Sequence, residues 1–233
     1  MANRKLFDKW ARWLEVIRRE LVELVVQRQH FQELLAVTEP YRGRRTGAEA
    51  ARWMAQGYYA YACLAVRRMT EAPKQNVPKK GDPRLTISLV VLLEDLAANA
   101  SELTRDRQRR MYKHHMRAVS ESVAIGAADC AFDQAARTKG ASEMPVSRIR
   151  RDIAALKRTA KRIRRRVDKV YAHTERDKRR IGRHVRSAEI DMAIDLLIEV
   201  HRRYTLLVQG RDVRELVPEG GFDITSDLKK LWP

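Results

Sequence analysis

Glycine and proline are scarce in this chain of 233 residues, ten and seven respectively. Strand-type runs are equally rare, which argues against an all-β sandwich, a fold that needs turn residues every few positions. Cysteine is nearly absent. Cys63 and Cys130 stand in no paired motif, so a disulfide framework and a Cys-based zinc site are excluded. No uninterrupted apolar run exceeds the nine residues from Tyr58 to Val66, about half of a membrane span. The N-terminus, MANRKLFDKWARWLEVIRRE, carries charges throughout. No signal-peptide apolar core is expected there, and the expected compartment is the cytoplasm.

What is present is charge and helical period. Hydrophobic residues are 44% and charged residues 33%, the balance of a globular protein with a heavily charged surface and too apolar for global disorder. The length allows one substantial core. Lys and Arg number 48 against 30 Asp and Glu, a net charge of +18 and a pI near 10.4. Such an excess attracts polyanions, nucleic acid first and an anionic membrane surface second.

Apolar residues recur at helical spacing almost everywhere. A long first helix is expected from about Lys5 to Val37, with Leu6, Trp10, Trp13, Ile17, Leu21, Leu24, Phe31 and Leu35 inward. Thr46 and Glu49 form a capping box for a second helix, about Gly47 to Thr70, lined by Met54, Tyr58, Tyr61, Ala65 and Met69. Residues 72–84 hold three prolines and a glycine and read as a long loop. A third helix follows, about Ile87 to Ala98, with Leu89, Leu92, Leu93 and Leu96 inward. Ser101 is the expected cap of a fourth, carrying Arg105 to Met116. Residues 119–145 read as a weak helix and a loop. The helix from Ser147 to about Ala172 is the most regular: Ile149, Ile153, Leu156, Ala160, Ile163, Val167 and Val170 make a heptad seam. Ser187 is the expected cap of a last helix ending at Gly210. The reading is one domain over residues 1–210 and an irregular tail over 211–233.

Charge is concentrated. Positions 148–186 carry 17 Lys/Arg against four acids, so about one sixth of the chain supplies most of the excess. Like charges this dense repel one another, which favours a polyanion that offsets them. Tyr171 is the lone aromatic there, so phosphate contact fits better than base stacking.

Catalytic motifs are few. No HExxH, GxGxxG, Walker loop or GxSxG is present. Adjacent His114 and His115 diverge by about 100° on a helix, so shared metal ligation is not expected. No metal or other cofactor is expected. His173 remains. On an α-helical wheel it nearly superposes on Arg166, seven residues earlier, both at the edge of the apolar seam. Arg162 and Lys169 extend the same basic strip. On spacing alone the plainer reading is a histidine at a helix end, its charge suited to the C-terminal dipole. The sharper one is metal-free RNA cleavage. The 2′-hydroxyl must lose a proton, which an imidazole can take, and the phosphate gains charge, which a guanidinium fork can hold.

The segment Arg166-Val-Asp-Lys-Val-Tyr-Ala-His173 resembles the signature of HEPN domains, an Arg, then four to six intervening residues, then a His near the end of a long helix. Two other stretches resemble the abortive-infection U-type branch: Arg67-Arg-Met-Thr through to Leu85-Thr-Ile-Ser-Leu-Val-Val-Leu-Leu-Glu, and Arg203-Tyr-Thr-Leu-Leu-Val-Gln-Gly. The resemblance covers roughly residues 5–210. It implies an all-α, antiparallel helical bundle that pairs two-fold, with Arg and His of both subunits converging into a metal-independent ribonuclease site. Arg166 and His173 match the catalytic pair. Arg162, Lys169 and Arg176 are the candidate RNA contacts. In this branch the Arg more often stands directly before Asn or Asp. Here Val167 intervenes, so Asp168 is a candidate auxiliary. The implied partners are RNA, a second copy of the chain, and a cognate antitoxin or defence protein, with no membrane. The competing readings are a catalytically silent HEPN module that binds RNA or protein and, more weakly, a basic helical DNA-binding protein.

Overall fold

The computed structural model describes residues 4–39, 48–71, 87–171 and 185–211. Thr46 of the expected capping box, the long loop expected over 72–84, the last residue of the helix expected to about Ala172 and almost all of the tail lie outside them. Among the described residues the architecture is helical: α1 (Arg4–Thr38), α2 (Ala48–Thr70), α3 (Leu89–Ala98), α4 (Arg105–His115), α5 (Glu121–Ala136), α6 (Val146–Thr159), α7 (Lys161–Arg166) and α8 (Ser187–Gln209). A π-helical turn, Val167–Tyr171, continues α7 directly. An isolated antiparallel bridge, Thr104 to Glu143, ties the start of α4 to the loop after α5. No described helix is long and apolar enough to cross a membrane.

The long first helix forms as expected, but its buried stripe is displaced. Trp10, Ile17, Leu21, Leu24 and Phe31 are buried; Phe7, Leu14 and Leu34 join them in place of Leu6, Trp13 and Leu35. Leu35 is 48% exposed. Trp13 sits at the edge, with the Lys9 ammonium over its ring. Positions 7, 10, 14, 17, 21 and 24 follow an unbroken alternation of three and four, the narrow seam a long helix presents to its neighbours. Full burial of each large apolar side chain favours folding by about 1.5–3 kcal/mol.

The described residues gather into two compact units, one of residues 4–18, 69–71, 87–159 and 195–211, the other of 19–39, 48–68, 160–171 and 185–194. In the first, α3 is buried along Leu89, Val90, Leu92, Leu93 and Leu96. Ser88 caps it, its Oγ accepting from the Val91 amide at 3.1 Å and donating to the Glu71 carbonyl at 2.7 Å. The sequence pointed to Ser101 as the cap of α4. The structure uses Thr104, whose Oγ1 accepts from the Arg107 amide, and Ser101 falls within a short 3-10 turn. Residues 119–145 hold α5, a 16-residue helix packed on α4, and then a loop. Its inner face is Ala124, Ala128, Ala131, Ala135 and Ala136 with Phe132. Alanine is the best helix former, and its small side chain allows close approach.

α4 has almost no apolar stripe, so polar contacts hold it. Arg109 pairs with Asp129 through two bonds of 2.8 Å. Arg107 lies over the Phe7 ring and donates to the carbonyls of Leu207 and Val208, at 3.1 and 2.9 Å. Those carbonyls end α8 and have no helical partner of their own. Gly210 stops α8 as expected, with φ +67, and a Cβ there would meet Met111 at 2.9 Å. At the other end Ser187 is not the cap. Arg186 holds that position, and Glu189 reaches back to accept from its amide at 2.9 Å, the carboxylate half of a capping box.

Beside α8, Asp152 of α6 accepts from Arg148 at 3.0 Å, Arg203 at 2.9 Å and the Tyr204 hydroxyl at 3.0 Å. Burial, then the Asp152 charge, pushes the Tyr204 hydroxyl well above its ordinary range. His201 is buried, its Nε2 donating to the Leu14 carbonyl at 3.1 Å. Burial lowers its pKa and keeps it neutral.

Candidate functional site

Helix α7, which carries Arg166, lies in the second unit. Along it Ala160, Ile163 and Val167 are buried, as the seam requires. The phase of α7 then sorts its cations. Arg165 is exposed, while Arg166, one step round, is half-buried at the edge of the seam. Arg166 is close enough to α2 for its charge to act on the Cys63 thiol. Burial raises that thiol to about 11, and the Arg166 charge opposes the rise.

Directly after Arg166 the helix changes its hydrogen bonding. Over Val167–Tyr171 it is a π turn, which fits an extra residue into one turn. The superposition of Arg166 and His173 rests on an unbroken α-helical wheel, and that wheel does not hold across these five residues. His173 and Arg176 lie outside the described residues.

The structure gives Asp168 a partner: its carboxylate meets Arg67 of α2 at 3.0 Å. Both side chains are partly exposed, so the pair adds little stability by itself, but it links the π turn to the end of α2. The sequence reading assigned no site role to Arg67. The signal was its place at the head of the first branch-like stretch, Arg67-Arg-Met-Thr. Arg162 is 60% exposed and pairs with Glu189 at the start of α8. The Arg186 amide, then Arg162, holds the Glu189 carboxyl below the usual carboxylate range. Lys169 is half-buried within the π turn.

The second unit also holds an aromatic group. Phe31 of α1 stacks on Tyr58 of α2 at 4.2 Å, with Tyr59 edge-on to both. The buried Tyr58 hydroxyl has no hydrogen-bond partner among the described residues. Burial, and after it the Asp191 charge, raises its pKa. Among the described residues no group of three His, Cys, Asp or Glu comes together as a metal-ligand set. The arrangement offers a half-buried guanidinium at a helix edge, a second cation in the adjoining turn, and an ion pair anchoring that turn. A phosphate oxygen is the ligand such groups suit.

No curated protein and no solved structure matches the chain. The HEPN AbiU2 family model matches residues 7–223, which takes in the Arg–His segment, both branch-like stretches and all eight helices apart from the first turn of α1. The chain therefore belongs to the AbiU2 family of HEPN proteins.

Proposed function

We propose that the chain is a metal-independent endoribonuclease of the HEPN type, acting as a toxin or phage-defence effector in the cytoplasm. The observation that carries the reading is Arg166: a half-buried guanidinium at the seam edge, immediately before a π turn, seven residues ahead of His173. π turns within α-helices are frequent at functional sites. In this reading His173 takes the proton from the RNA 2′-hydroxyl, the freed oxygen attacks the adjacent phosphate, and Arg166 holds the phosphate oxygens as charge builds. The 5′-oxygen leaves, so the products carry 2′,3′-cyclic phosphate and 5′-hydroxyl ends. Lys169, Arg162 and Arg176 hold neighbouring phosphates. Asp168, engaged by Arg67, positions the turn.

A second copy completes the site by bringing its own Arg166 and His173, so light scattering at micromolar concentration reads about twice 27.1 kDa. A cognate antitoxin or defence protein is the expected regulator. The test is incubation with total cellular RNA in EDTA, wild type beside His173→Ala. Wild type cleaves and the variant does not. Robust cleavage by His173→Ala would overturn the assignment. Stoichiometric RNA binding without cleavage by either would favour the silent binding module.

A further inference from the structure

Helix α2 buries one side along Tyr58, Ala62, Val66 and Met69. Roughly opposite lie Trp53, Gly57, Ala60 and Leu64, all within about 60° of one another on the helical wheel. Trp53 is 76% exposed and Leu64 44%, and no other large apolar side chain among the described residues is as exposed as Trp53. Gly57 is open as well, since a Cβ placed on it meets nothing within 4 Å. The outer face of a surface helix is ordinarily charged or polar. Here the helix holds no charged residue from Trp53 to Val66, in a chain of which 33% is charged. The longest uninterrupted apolar run, Tyr58 to Val66, lies within this stretch. A helix that packs on one side only has no need of it.

The outer stripe is symmetric. Its residues run large, small, small, large at intervals of four, three and four, an order that reads the same in both directions. A second α2, antiparallel and related by a two-fold axis, therefore sets Trp53 against the partner's Leu64 twice over. Gly57 then meets the partner's Ala60 at the crossing, where small side chains let two helix axes approach to about 8 Å. The ends agree with this direction. The first turn of α2 carries Glu49 and the last turn Arg67 and Arg68. Antiparallel packing brings unlike ends and opposed helix dipoles together, and parallel packing would bring like ends together. Arg52 stands on the flank, about 100° round from Trp53. Arg67 and Arg68 already meet Asp168 and Glu20, so the apolar stripe supplies the contact and the charges set its direction.

We propose that the outer face of α2 is an interface with a second copy of this chain, packed antiparallel through Trp53, Gly57, Ala60 and Leu64. The proposal rests on the preceding reading in taking a second copy as the partner, and it adds the surface on which that copy docks. Trp53 is the anchor: tryptophan is among the residues that most often dominate an interface, and pairing removes this side chain from water.

Sedimentation velocity of the full chain over a concentration series tests this. Wild type sediments as a dimer at micromolar concentration. Trp53→Ala raises the dissociation constant by about ten-fold or more, as loss of a central aromatic does. Gly57→Leu does the same by holding the two helices apart. It leaves the single chain intact, because the new side chain enters open space and leucine favours a helix more than glycine does. Circular dichroism of both variants shows the helix content of wild type. Arg52→Ala dimerises like wild type. A dimer weakened by neither Trp53→Ala nor Gly57→Leu would overturn this surface and leave a two-copy ribonuclease standing, which the cleavage assay in EDTA judges separately. A wild type that is monomeric throughout the series would overturn it as well. So would variants that melt lower with the dimer unchanged, since a segment of the same chain would then cover the face.

Discussion

Arg148 and Arg203 of the first unit, with side chains 6% and 10% exposed, both meet Asp152, whereas on α7 of the second unit Arg162 is 60% exposed and Arg165 faces solvent. The residue type is the same and its work differs. A guanidinium removed from water must be paired within the protein, because an unpaired buried charge is strongly destabilising. In the first unit the arginines withdrawn from water serve the fold: Arg107 closes the end of α8, Arg105 and Arg109 join α4 to α5, and Arg203 joins α8 to α6. On α7 Lys161, Arg162 and Arg165 lie outside, where water screens them and a polyanion can reach them. Density of basic residues is thus a poor guide to binding until burial has separated the two uses.

The comparison breaks most visibly at Asp152. Asp152→Ala strands two buried guanidiniums and a buried phenol, a loss of about 3–5 kcal/mol. For a chain of this size that lowers Tm by roughly 10 °C. A thermal melt unchanged from wild type would mean the network contributes nothing net.

Arg166→Ala should do the reverse, leaving Tm near wild type while cleavage falls by about 10²–10³-fold. Arg166→Lys should rescue poorly, since an ammonium cannot form the fork. Arg165→Ala should keep its activity. Greater dependence on Arg165 than on Arg166 would show that the exposed face of α7, rather than its seam edge, meets the phosphate.

A smaller effect comes from His201. Its pKa is lowered in the fold, so below the unfolded value of about 6.5 the unfolded chain binds more protons. The stability it gives is complete above that pH and is lost as pH falls. Chemical denaturation at pH 7.5 and pH 5.5 should show this loss in wild type, and less of it in His201→Gln. Identical pH dependence in the two proteins would locate the acid sensitivity elsewhere.

The least change is expected from the outer cations. RNA affinity should fall steeply with salt, and each phosphate contact removed should flatten the log–log slope by about 0.7 for a single strand. Arg162→Ala should fall short of that figure, because Glu189 already engages Arg162. Flattening by the full figure would show that the Glu189 pair opens when RNA binds.

Part of the seam beside Arg166 was legible in the sequence. Ile149, Leu156, Ala160, Ile163 and Val167 are buried as expected, while Ile153 and Val170 are only half-buried. The π turn was not legible, because Val-Asp-Lys-Val-Tyr has no residue that forbids an α-helix, and the choice depends on what packs around it. Nor was the Arg67–Asp168 pair, whose members lie about a hundred positions apart along the chain.

By itself the sequence determined the helical class, the four inward leucines of α3, the end of α8 at Gly210 and the crowding of cations over 148–186. These follow from period, residue type and composition, all of which act over one or two turns. Only the tertiary structure decided which of two adjacent residues on α1 turned inward, Leu14 or Trp13 and Leu34 or Leu35, and which arginines were buried. A local period fixes a stripe to within one residue. The neighbour that selects the final phase, like the carboxylate that lets Arg203 leave water, comes from a distant part of the chain.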